Sequence, residues 1–256
     1  MPEVEEFYVG YKPQMPPGIA ARTGGFVLAA LVLVPALAAL FALGFRPLPS
    51  ATFEFGQLRS FEGTLAADPY PALLVDRPGE TGGAPEASRY HLVAPFKFGA
   101  QEIVRELAGR RVRLEGSLVH RDGQTLVEVV PDSLEVLPGA ASDPLASLDL
   151  GEHLFVGEIV DSKCFLGVMN PGNLKPHRAC AIRCISGGIP PVLCVRDGEG
   201  VAEYLLLVGE GGEPLNADVL EFVALPVEVR GRVERLGDQL VLRTTAADIR
   251  RIDSPR

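Results

Sequence analysis

Beyond residue 50 the sequence repeats itself at a spacing of 115 positions, and nothing else in the chain constrains its fold as strongly. Val112, Leu114, Gly116, Leu118, Gln124 and Leu126 match Val227, Val229, Gly231, Val233, Gln239 and Val241 without a gap. Each copy alternates apolar and polar residues, turns at Asp122-Gly123 or Gly237-Asp238, and alternates again, which is the pattern of a β-hairpin. Upstream of the hairpins, segments 100–107 and 216–223 have helical character, and 90–93 and 204–208 read as strands. Further upstream, PALLVD from Pro71 is paralleled by PVLCVR from Pro191, and FEGTL from Phe61 by FVGEI from Phe155. Each copy therefore reads strand, strand, strand, short helix, strand, strand, the order of an OB-type Greek-key barrel. A small sandwich of hairpins would alternate in the same way, but the place of the helix favours the barrel. The expected architecture is mainly β, with OB-like five-stranded barrel domains at 51–138 and 150–254 and a linker at 139–149. With 28 Gly, 22 Pro and no Trp, the composition fits short strands and turns and speaks against an all-helical bundle.

Ahead of the repeat, 22 residues at 24–45 carry no charged or hydrogen-bonding side chain, between Arg22 and Arg46. As a helix they would reach about 33 Å, enough to cross a bilayer. A buried core helix would show polar residues on one face, and the apolar core of a cleaved signal peptide is shorter, about 7–15 residues. The expectation is an uncleaved N-terminal transmembrane helix, preceded by a cytoplasmic tail at 1–23 and followed by an exported body. Basic residues are almost balanced, Lys12 and Arg22 before the span against Arg46 and Arg59 after it. The orientation therefore rests on the layout, since long domains translocate largely regardless of charge. The net charge of −9 argues against nucleic acid and anionic headgroups as partners, because clustered Lys and Arg drive phosphate binding. The expected partners are the lipid bilayer, through 24–45, and no nucleic acid.

The copies differ most between their first two strands. Pro71 lies 8 positions after Gly63, whereas Pro191 lies 34 after Gly157, so the second copy has gained 26 residues. This insertion, 163–190, holds three of the four cysteines. Pro176 can open a helix and Gly187-Gly188 can close one, which places a helix near 177–185. His177, Cys180 and Cys184 then share one face of that helix, and Cys164 returns from the end of a strand. Cys164, His177, Cys180 and Cys184 together form the donor set of a Cys₃His site for a transition-metal ion such as zinc or iron. The paired C-x₂-C knuckles of common zinc modules are absent, as are the C-x-x-C-H of a c-type haem and the cysteine run of bacterial ferredoxins. Two alternatives stay open: a disulfide from Cys164 to Cys180 or Cys184 that staples the insertion, and plain packing of small thiols. Cys194 is read as packing, because it occupies the strand position of Leu74. Asp161 could orient a ligand as a hydrogen-bond acceptor but is read in preference as a strand-end residue, Gly187-Gly188 is read as a helix stop, and His91, His120 and His153 carry no assigned chemistry.

The stretch from Gly157 through Asp161 and Cys164 to His177, Cys180, Cys184 and Gly188 resembles a segment of uncharacterised bacterial envelope proteins, some of them membrane-anchored. The resemblance covers about 35 residues and implies a bacterial envelope protein, without supplying a mechanism. No nucleophile elbow, Walker loop or dinucleotide fingerprint occurs, so hydrolase, nucleotide and dehydrogenase functions have no support. The reading is a non-catalytic, single-pass protein of the bacterial inner membrane with periplasmic domains. Its expected role is a metal- or redox-cofactor-binding accessory or assembly subunit of a membrane-associated redox complex. The competing readings are a disulfide-stapled interaction module and a thiol enzyme with a cysteine activated beside His177.

Overall fold

The computed structural model describes residues 13–44, 51–77, 86–141, 145–196 and 202–252. Its first element is a 28-residue helix, α1 (Pro17–Gly44), which runs unbroken through Pro35. It begins at Pro17, earlier than the expected residue 24. The Pro16 carbonyl accepts the first bond from the Ala20 amide at 2.8 Å, and a proline in the first helical turn sacrifices no hydrogen bond. Pro17–Leu43 is long and apolar enough to cross a membrane. Phe45, most of the expected tail and residues 142–144 of the expected linker lie outside the described residues. This helix belongs to one compact unit, and the rest of the chain, Pro49–Arg256, forms another.

In the second unit the first barrel comprises β1 (Thr52–Phe53), β2 (Arg59–Ala66), β3 (Ala72–Arg77) and β4 (Glu86–Val93), then a short helix α2 (Gln101–Val104), then β5 (Arg111–Arg121), β6 (Gln124–Val129) and β7 (Glu135–Val136). Antiparallel pairing runs β5–β2–β3–β4, β4 pairs β6 in parallel, and β6 returns to β5, so the sheet closes. The second barrel is built from β8 (Ser147–Asp161), the helix α3 (Leu174–Ser186), β9 (Pro191–Arg196), β10 (Ala202–Val208), β11 (Pro226–Leu236), β12 (Gln239–Arg243) and β13 (Ile249–Arg251). It closes in the same order, with β10 and β12 as its parallel pair. These are the two five-stranded OB-like barrels that the repeat predicts. The repeated glycines mark where each sheet folds on itself: a β-carbon at Gly116 would stand 2.6 Å from the Glu128 carbonyl oxygen, and one at Gly231 would stand 2.1 Å from that of Arg243.

Two expectations need correction. Segment 216–223 is not helical but a series of turns, with Asp218 and Val219 bonded to Leu215 and Phe222 to Val219. The Asn216 amide is committed to the carbonyls of Ile185 and Ile189, at 2.8 and 2.9 Å, and α3 supplies Ala181 and Ile185 to the core that this segment also lines. The second barrel starts at Ser147, inside the expected linker, because β8 extends to pair β11 across a bulge at Val233/Glu234.

Each barrel has an apolar interior, centred on Leu73, Leu114 and Val127 in the first and on Leu193, Val229 and Leu242 in the second. A third apolar cluster joins them: Val93, Val119 and Leu126 of the first barrel pack with Val160, Phe165, Ile189 and Tyr204 of the second. Cys164, Cys184 and Cys194 belong to this shared cluster, and Cys180 packs against it. The insertion therefore sits at the seam between the barrels.

Candidate metal and thiol centre

β8 delivers Asp161 to the barrel mouth fully buried, and its Oδ1 accepts the Cys164 amide at 2.8 Å. That bond shapes the turn through Ser162 and Lys163 and fixes where Cys164 enters the π-helical turn Cys164–Val168. α3 starts at Leu174, so Pro176 lies inside its first turn and does not open it. The helix buries His177, Ala181, Cys184 and Ile185, and leaves Cys180 half-buried.

All four cysteines are free thiols. Cys164, Cys180 and Cys184 place their sulfur atoms within 4.8 Å of one another, with the Cys164 and Cys184 sulfurs 3.9 Å apart. Metal–sulfur bonds of about 2.3 Å at tetrahedral angles put two sulfurs roughly 3.8 Å apart, so this spacing suits a shared ion. His177 departs from the expected four-donor set. It groups with Asp161 and Cys164, and its Nε2 meets Asp161 Oδ2 at 3.1 Å, outside the group of three sulfurs. The two groups share Cys164. Asp161, read from sequence as a strand-end residue, is thus the partner that holds both His177 and Cys164. Cys194 lies in β9 apart from these groups, and burial pushes its thiol up to about 11, as expected of a packing residue.

Within the cluster, Cys164 and Cys184 are joined by a sulfur–sulfur hydrogen bond. The Cys164 thiol is held far above its ordinary range by that contact, by burial and by the nearby Asp161 carboxylate. Cys184 is lowered by the same contact, against burial and with help from the charge of Lys97.

Sequence reasoning missed Lys97, which reaches the cluster from the first barrel. Its Nζ lies 2.7 Å from Cys180 Sγ and 3.7 Å from Cys184 Sγ, and the contact with Cys180 raises its pKa. The segment that carries it, between β4 and α2, is clamped from the insertion. Lys163, 1% exposed, donates to the carbonyls of Ala94 at 2.9 Å and Phe96 at 2.7 Å and pairs with the Glu128 carboxylate. The Gly99 amide bonds the Gly187 carbonyl at 2.9 Å, and the Gln101 side chain bonds that of Gly188 at 2.8 Å. A β-carbon on Gly187 would lie 1.9 Å from the Lys97 carbonyl oxygen. The glycine pair is more than a helix stop: it lets the backbone of the other barrel come close. Lys97 and Cys180 lie 83 positions apart in different copies of the repeat, so no local pattern links them.

No family model and no curated protein matches the chain. Among solved structures it is similar to a deletion mutant of the single-stranded DNA binding protein from Thermus aquaticus, at 16% identity and a TM-score of 0.23, covering 81% of this chain and 90% of that one. The expectation that excluded nucleic acid as a partner is withdrawn. Net charge averages over a whole surface and sets no limit on any one part of it.

Proposed function

We propose that the chain is a non-catalytic, metal-binding accessory or assembly subunit, anchored by α1 in the bacterial inner membrane with its barrels on the periplasmic side. Cys164, Cys180 and Cys184 are its ligands, and the ion is a thiophilic transition metal such as zinc or iron. The observation that carries this reading is the clustering of three sulfurs at ligand spacing, with one pair 3.9 Å apart. His177, bonded to Asp161 behind Cys164, orients that ligand from outside the sulfur group. Three protein ligands leave a coordination position open, which suits a subunit that passes an ion or electrons to a membrane-associated redox complex.

The test uses the full chain, purified in detergent under anaerobic, reducing conditions, with elemental analysis and thiol titration on the same sample. One transition-metal ion per chain, lost in Cys180→Ser, is the expected result. Metal-free protein with four titratable thiols would overturn the reading, and metal-free protein with two thiols missing would replace it with a disulfide-stapled interaction module.

A further inference from the structure

We propose that Lys97 and Cys180 form an oxidisable cross-link in which a single oxygen atom bridges Nζ and Sγ. The contact between them is 2.7 Å, the length of an N–H···O hydrogen bond. Sulfur is larger than oxygen by roughly 0.3 Å, so an N–H···S bond of the same quality would measure about 3.3 Å. A nitrogen and a sulfur joined through one oxygen stand roughly 2.6 Å apart, so the bridge closes with almost no movement of either residue.

Both partners are held in place. Cys180 lies on α3, whose far end is tied through Gly187 and Gly188 to Gly99 and Gln101. Lys97 lies on the segment fixed by Lys163 through Ala94 and Phe96. Access favours Cys180 as well, since it is half-buried while Cys164 and Cys184 are buried. A small oxidant therefore meets Cys180 first.

The oxidant is a peroxide, and the reaction balances with two equivalents. The first converts the Cys180 thiol to a sulfenic acid and is reduced to water. The second takes two electrons as the Lys97 amine bonds to the sulfenic oxygen, and it leaves as two further waters. One thiol, one amine and two molecules of hydrogen peroxide give one S–O–N bridge and three waters. Two dithiol molecules reverse the step: they supply four electrons and four protons and become two disulfides, the bridging oxygen leaves as water, and the free lysine and cysteine are restored. The cross-link removes Cys180 from the sulfur cluster, and it requires no bound ion, so it stands or falls independently of the metal reading.

The test uses the full chain in detergent, stripped with a chelator, exposed to hydrogen peroxide and analysed by intact mass and tryptic mapping. The expected result is a gain of about 14 Da reversed by dithiothreitol, a peptide joining Lys97 to Cys180, and loss of cleavage after Lys97. Lys97→Arg keeps the positive charge and should abolish the joined peptide while leaving the circular dichroism spectrum unchanged, as should Cys180→Ser. A gain of about 16 or 32 Da on Cys180 with Lys97 still cleavable would overturn the proposal, as would a loss of about 2 Da without the joined peptide.

Discussion

Among the described residues, His91 carries the clearest pH signature. It is 5% exposed in β4 of the first barrel, and its Nε2 meets the side-chain amide of Gln239, in β12 of the second, at 2.6 Å. Burial, reinforced by the charge of Arg89 and opposed by the bond to Gln239, pushes its pKa down to about 3. A histidine held neutral in the fold but free to protonate near pH 6.5 when unfolded stabilises the protein fully above pH 6.5. That contribution is lost as pH falls from 6.5 towards 3, because the unfolded chain then binds the extra proton. Between pH 7 and pH 4.5 the loss is about 2–3 kcal/mol. Urea unfolding at the two pH values should show a markedly smaller difference in His91→Leu than in the parent. Equal differences would mean that His91 does not titrate on unfolding. The sequence marked His91 only as a strand residue, since its burial comes from a barrel that begins more than fifty positions later. The cysteines were readable one by one, because helical spacing brings Cys180 and Cys184 to one side of α3. The bond from His177 to Asp161 was not, because it depends on the side on which β8 delivers its last residue.

The junction between α3 and the segment from β4 to α2 tests how elements are fitted together. A methyl group at Gly187 would collide with the Lys97 carbonyl, a backbone atom that cannot turn aside. Gly187→Ala should therefore destabilise the protein by about 1–3 kcal/mol and suppress the peroxide cross-link, since Lys97 moves with its backbone. Gly109→Ala is the control: nothing lies within 4 Å of a β-carbon there, and only the positive φ is penalised, at about 1 kcal/mol. Chemical denaturation and the tryptic map read both effects, and an intact cross-link in Gly187→Ala would show that the close approach is dispensable. The hairpins were predictable because alternation is local, and β5–β6 and β11–β12 occupy the two copies as the spacing of 115 requires. Segment 216–223 was not, because the insertion that displaces a regular helix there arrives from a distant part of the chain.

The two barrels of the Pro49–Arg256 unit are joined by an apolar seam and by a few buried polar groups, of which Lys163 is the most committed. It holds two carbonyls and the Glu128 carboxylate of the first barrel from within the insertion of the second. Lys163→Met leaves the Glu128 charge and both carbonyls without their donor, and should cost about 3–5 kcal/mol. Amide exchange at Gly99, whose bond crosses the seam to Gly187, should speed up in the same variant. Adding Glu128→Gln should recover part of the loss, since the stranded charge is then gone. A cost below about 1 kcal/mol in Lys163→Met would rule out a clamping role.

Two barrels, their strand order, an apolar helix of membrane-crossing length and an insertion rich in soft ligands were all written in local patterns of period and composition. Such patterns survive without knowledge of the fold, because hairpin alternation and helical spacing involve neighbours in sequence. The division of the ligands into a sulfur group and an Asp161–His177 pair depended on how β8 and α3 meet within the second barrel, and the burial of His91 and the arrival of Lys97 depended on how one barrel docks on the other. These last two contacts join residues tens of positions apart, and their geometry exists only once the seam has packed.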